Sequence, residues 1–250
     1  MKNMLMMAVA ALMVMACGKR VATEGAAGST AVFNVEEGRV SSRIVADVPE
    51  PALRTAVGEW MNDMLGGYYD GDVNDMQAMV DFYGKATMDS LKVWAGDVRP
   101  ELGLNYEATA VKAYETPQYV TYTLSTYLNL GGAHPTSGEE GTTFRKSDGR
   151  RLTWDIIRRD KQYLFSQMVT GCLKDYFGMD DEELQQVLGD NVYFNPPLPR
   201  TPPFLLENGM VLIYQQYEIA GYAMGMPCDT IGYDRLVPLL TVSARRLVNE

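Results

Sequence analysis

The pattern of residues predicts an α+β protein, an antiparallel sheet with helices packed on one side, behind a short exported leader. Three observations carry this. Residues 104–114 and 119–130 alternate with period two and are rich in Tyr, Thr and Val, as half-buried strands are. Residues 51–94 instead carry apolar side chains at helical spacing. The apolar fraction is 46% of 250 residues, enough to bury a core.

The leader comes first. Lys2 is followed by an uncharged apolar run, residues 4–16, and then by Cys17-Gly18-Lys19-Arg20. The run is too short to cross a hydrocarbon layer, which takes about 20 residues, so residues 1–16 read as a signal peptide. Val14-Met15-Ala16-Cys17 resembles the lipobox of bacterial lipoproteins, with the Cys17 thiol as the acylated group. Residues 17–31 are small and aperiodic, and read as a tether. The mature chain is then expected to be lipid-anchored in the bacterial cell envelope, facing the periplasm or the cell surface.

Residues 39–48 alternate and end at Pro49, which predicts a strand. Leu53, Val57, Trp60, Met61 and Met64 predict a helix over 51–65, stopped by Gly66-Gly67. A second helix is expected over 72–94, with Asp72 as its N-cap and an interruption near Gly84. The two period-two segments form a long hairpin about 115–118, and 142–146 with 151–154 a shorter one about Asp148-Gly149. Helices are expected over 162–177 and 180–188, the latter with an acidic first turn. The proline-rich stretch 195–203 must be extended. Asn208-Gly209 predicts a hairpin joining 204–207 to 210–219, and a last helix covers 233–240. The chain divides by this reading into 32–114, an N-terminal α+β region, and 115–250, a C-terminal domain.

Charge narrows the partners. The chain carries a net charge of −10, and loss of the leader with Lys2 makes it one unit more negative. Such a polyanion is repelled by nucleic acid and attracts cationic partners. Beyond Cys17, the cysteines are Cys172 and Cys228, which either form a disulfide or stay as two buried thiols. The one histidine, His134, lies in Gly131-Gly132-Ala133-His134-Pro135 without a nucleophile motif nearby, and is read as structural. Zinc needs three or four ligands that this set does not supply, so no metal and no cofactor is expected. Asp70-Gly71-Asp72-Val73-Asn74-Asp75 and Asp81 imitate a calcium loop, but lack its glycine and glutamate and suit helix capping better. The loop 131–141 holds His134, Glu139 and Glu140 and follows Tyr127, so these four residues are the candidate binding set.

Several segments carry a family resemblance: Tyr127-Leu128-Asn129-Leu130 leading into Gly-Gly-Ala-His, then Asp148-Gly149-Arg150-Arg151-Leu152, Trp154-Asp155-Ile156-Ile157, Tyr217-Glu218-Ile219-Ala220, and Tyr233-Asp234-Arg235-Leu236. They resemble the C-terminal extracellular domain of the lysozyme-responsive anti-sigma factor RsiV. That domain of unknown function also occurs beside the catalytic domain of the peptidoglycan deacetylase PdaC and in mycobacterial secreted antigens. The resemblance spans about residues 115–240 and implies an α+β fold without enzymatic activity. It implies a non-catalytic binding or sensor module whose partner is a cationic protein such as lysozyme, or a glycan of the cell wall. A cell-wall hydrolase using His134 and a purely structural envelope protein are the alternatives.

Overall fold

The computed structural model describes residues 13–16, 19–22, 29–99 and 101–248. Cys17 and most of the leader and tether lie outside the described residues. Two short strands, β1 (Met13–Ala16) and β2 (Lys19–Ala22), pair antiparallel within that region. The expected tether ends early, because β3 (Thr30–Glu37) starts inside it and buries Ala31 and Phe33 on alternate positions.

The main sheet has five strands in the order β3-β4-β5-β6-β7. β4 is Val40–Asp47, β5 Leu104–Glu115, β6 Tyr119–Asn129 and β7 Thr136–Arg145. All neighbours are antiparallel except β4 and β5, whose connection runs through two helices and returns the chain in the same direction. Those helices are α1 (Arg54–Leu65), entered by a 3-10 turn at Pro51–Leu53, and α2 (Met76–Ala95). Both lie on one face of the sheet. Phe33, Ile44, Trp60, Met79, Tyr83, Leu124 and Phe144 close the core between them, with Trp60 edge-on to Phe144 at 6.1 Å.

Two details of α2 differ from expectation. Asp72 is not the cap: its carboxylate accepts the N–H of Asn74 at 2.9 Å in a local turn, and the helix starts one turn later with Asp75 accepting from the Ala78 N–H. Nor does Gly84 break the helix. A Cβ there would stand 2.2 Å from the Phe33 ring, so the glycine lets α2 approach β3.

The other face of the sheet is covered at its β6–β7 end by a second sheet of order β10-β9-β8. Its strands are β8 (Phe204–Leu206), β9 (Gly209–Ile213) and β10 (Cys228–Gly232). The seam is polar and held by a hydroxyl network: Thr121 and Thr143 share a hydroxyl bond of 2.8 Å, Thr121 donates to the Leu205 carbonyl at 2.6 Å, and Thr143 accepts the Leu205 N–H at 2.8 Å. Behind this sheet lie α3 (Gln162–Phe177), α4 (Asp181–Leu188), α5 (Asp190–Phe194), α6 (Tyr233–Leu236) and α7 (Val242–Val248). They close a second core on Phe165, Leu184, Met210, Tyr214, Ile231 and Leu236. Asp180 and Glu183 form a reciprocal capping box at the start of α4.

Two further expectations change here. The hairpin about Asp148-Gly149 reduces to a single bridge, Phe144 with Arg151, because the chain turns into a 3-10 helix at Trp154. The strand expected to 219 stops at Ile213, where Tyr214 turns its N–H to the Pro227 carbonyl. The division drawn at 114/115 falls at the last residue of β5, and the strands on its two sides pair in one sheet.

Cys172 is a free, buried thiol in α3. Burial raises its pKa and Asp229 takes its S–H hydrogen bond. The Cys172–Cys228 disulfide held open from the sequence is therefore not formed. Along β10 alternate residues point to opposite sides: Asp229 and Ile231 face α3, while Cys228 packs toward Phe204 and Ile213. Cys228 has a partner other than Cys172.

Candidate functional site

β7 is an edge strand, so the N–H groups on its free side need partners. The turn after β9 supplies them from two consecutive glutamines. Gln215 accepts the Glu139 N–H at 3.2 Å through Oε1 and donates to the Glu139 carbonyl at 2.6 Å through Nε2, so its amide acts as one more strand residue. Gln216 accepts the Ser137 N–H at 3.0 Å. The turn itself is held by Glu218, whose two carboxylate oxygens take the N–H groups of Arg200 at 2.7 Å and Gln215 at 2.8 Å. Between turn and strand lies an open cleft of about 450 Å³, lined by Met64, Glu140, Arg200, Gln216, Tyr217 and Glu218 among others.

At the mouth of the cleft three rings meet. His134 stacks on Tyr222, centroids 3.7 Å apart and 20° from parallel. Its Nε2 lies 3.3 Å from the Tyr217 hydroxyl and its Nδ1 3.2 Å from the Pro135 carbonyl, which also accepts from the Tyr222 hydroxyl at 2.9 Å. Tyr217 is 62% exposed and has φ +65°, the only non-glycine in the left-handed region among the described residues.

The sequence-derived set is thus split. Glu139 and Glu140 do not hang in a loop, since β7 begins at Thr136 and both sit in the strand, half-buried. Being successive, they point to opposite faces. Glu139, opposite Ser125, shares the non-helical face with Ser137 and Tyr127. Burial pushes its carboxyl up to about 7, so it is a weak source of long-range charge at neutral pH. Glu140 faces the cleft, and its pKa is raised by burial first and by Glu218 second. His134 meets Tyr222 and Tyr217, not Tyr127. The residues missed were Gln215 and Gln216, which a strand drawn to 219 had hidden; Tyr217 and Glu218 were noted in the resemblance but not placed in the binding set. Pro-rich 195–203 opposite them was the available sign that an ordinary hairpin does not continue there.

Among the described residues, no group of three His, Cys, Asp or Glu side chains is placed to hold a metal ion. The carboxylates that imitate a calcium loop are engaged locally, Asp72 by Asn74, Asp75 by Ala78 and Asp81 by Gln77. No helix among the described residues is long and apolar enough to cross a membrane.

Comparison with known proteins agrees with this architecture. No curated protein matches the chain. Among solved structures, a DUF3298 family protein from Pseudomonas aeruginosa PAO1 superposes with a TM-score of 0.56 at 18% identity, covering 86% of this chain and 94% of that one. A member of the same family from Bacteroides fragilis NCTC 9343 gives 0.58 at 16%, with the same coverage. At such identities the likeness is one of fold. The model of the family described as "Protein of unknown function (DUF3298)" matches residues 155–234, the segment that builds the second sheet, α3 to α5 and the turn over β7. Residues 155–234 are thus a DUF3298 domain.

Proposed function

We propose that this chain is a non-catalytic binding or sensor module, tethered to a bacterial envelope membrane by a lipid on Cys17 and facing the periplasm or the cell surface. The observation that carries the reading is the ring cluster of His134, Tyr222 and Tyr217 at the mouth of the β7 cleft: exposed aromatic surface held rigidly on a scaffold is what recognition sites present. The histidine supports binding over hydrolysis, because the hydroxyl it meets is the phenol of Tyr217 and not that of a serine or threonine. The anchor rests on the short apolar run ending in Val-Met-Ala-Cys. The resemblance to the extracellular domain of RsiV points to a basic protein such as lysozyme or to cell-wall glycan, and the net negative charge suits a basic partner.

The test is retention of a ligand by the full-length protein. Immobilised in detergent, it is challenged in parallel with envelope extract, purified cell-wall glycan and lysozyme. Saturable retention of one of them is the expected result. Retention of none above a blank surface would overturn the reading.

A further inference from the structure

We propose that the cleft along the free edge of β7 binds a neutral saccharide, with the Tyr217 ring as its stacking platform. This deepens the binding reading above and rests on it.

The cleft's volume of about 450 Å³ lies within the range of about 300–1,000 Å³ that holds small ligands. Its aromatic wall is fixed by unusual means. A tyrosine at φ +65° costs about 1 kcal/mol that glycine would avoid, yet the ring buries little and so recovers little of that cost by packing. What the backbone conformation achieves is placement. The Tyr217 hydroxyl is tied to His134 Nε2, and Tyr222, 5.8 Å away, is itself locked by His134 and Pro135. The ring is held by its edge, with much of its surface left to solvent. An apolar face beside hydrogen-bonding groups is the surface a pyranose ring matches, since sugars carry C–H faces and hydroxyl rims.

The polar lining decides between a saccharide and a cation. Gln216 spends its Oε1 on Ser137 and keeps its Nε2 as a donor, and the Arg200 guanidinium lines the cleft without an ion pair among the described residues. Glu218 is oriented by two backbone N–H groups and presents its remaining lone pairs. Glu140 lines the same cleft, and burial, with Glu218 second, raises its carboxyl pKa. The lining therefore offers both donors and acceptors, and a positive charge entering would meet the Arg200 guanidinium. A polyol uses all of these groups without requiring a net charge.

The full-length protein in a non-glycosidic detergent is titrated calorimetrically with tetrasaccharides of the chito-, cello- and malto- series, each variant first checked by circular dichroism. At least one series should bind in the micromolar to millimolar range typical of weak sites, about −4 to −8 kcal/mol. Tyr217→Ala should weaken it about tenfold or more, as loss of a stacking partner does, while Tyr217→Phe stays within about threefold. Raising salt should change binding little. The proposal is overturned if no series binds at about 10 mM, near the limit of specific affinity, or if Tyr217→Ala binds like wild type. It is also overturned if Glu140→Gln abolishes binding together with a steep salt dependence, which would mark a cationic ligand. Retention of an envelope component by a protein that binds no saccharide removes this site and leaves the broader reading standing; retention of nothing removes the broader reading.

Discussion

Gln77 pairs with Val32 through both ends of its amide, accepting the Val32 N–H and donating to the Val32 carbonyl at 3.0 Å each. Val32 lies on β3, the opposite edge of the same sheet whose β7 edge is closed by Gln215. Both rims of the five-stranded sheet are therefore finished by a glutamine side chain from outside the sheet, one from α2 and one from the turn after β9. Removing either amide exposes an unpaired strand edge. Gln77→Ala and Gln215→Ala should each cost about 1–2 kcal/mol in urea unfolding, three side-chain hydrogen bonds being lost at a partly solvated site. Size-exclusion chromatography should show concentration-dependent self-association of the double variant. A double variant as stable and monomeric as wild type would show that water replaces the amides at no cost.

Glu139 makes stability depend on pH in a defined direction. Its carboxyl moves from an ordinary value of 4.5 to about 7 on folding, so between those values the folded chain holds a proton that the unfolded chain has lost. Its contribution is fully present below about 4.5 and is lost as pH rises to about 7. Glu139→Gln should remove this loss, stabilising the protein at pH 8 by on the order of 2 kcal/mol and leaving pH 4 nearly unchanged. Thermal melts of both proteins at the two pH values decide it, and an equal shift at both would assign the effect to packing.

Tyr217→Gly separates fold from recognition. Glycine accepts φ +65° without the Cβ penalty, and the exposed ring contributes little burial. The variant should be as stable as wild type or more so, by up to about 1 kcal/mol, while losing ligand. Marked destabilisation would instead make the ring a structural strut for His134 and Tyr222.

Acylation of Cys17 is tested by growth on a palmitate analogue followed by labelling. Wild type should be marked and Cys17→Ser should not. With Cys172 a buried free thiol, the chemical alternative for Cys17 is a disulfide to Cys228. A non-reduced peptide linking those two in the mature protein would overturn the lipid anchor.

Elements with strong periodicity were legible from residues alone. The β5–β6 hairpin, α1, α3 and α4 lie within a residue or a few of their expected bounds, because each satisfies a local rule that packing reinforces. β3, β10 and α7 were not. β3 carries Ala31 and Asn34 where strand formers are usual, and β10 holds Asp229 and Gly232, so their conformation comes from pairing with β4 and β9 and not from propensity. At the site, the segment drawn as loop 131–141 runs into β7 from Thr136, and what it meets across the edge lies near residue 217. No local pattern could reveal a glutamine amide standing in for a strand.

The two glutamines also set an order of events in time. Gln77 follows Val32 by 45 residues, whereas Gln215 follows Glu139 by 76, so the β3 rim can close while the chain is still being delivered and the β7 rim cannot. A chain made N-terminus first completes the residues of all five strands before those that seal β7. A product truncated before residue 200 never gains the latter. The C-terminal third thus completes the edge of the main sheet, and its loss should be read first as an exposed strand edge and only second as loss of a binding surface.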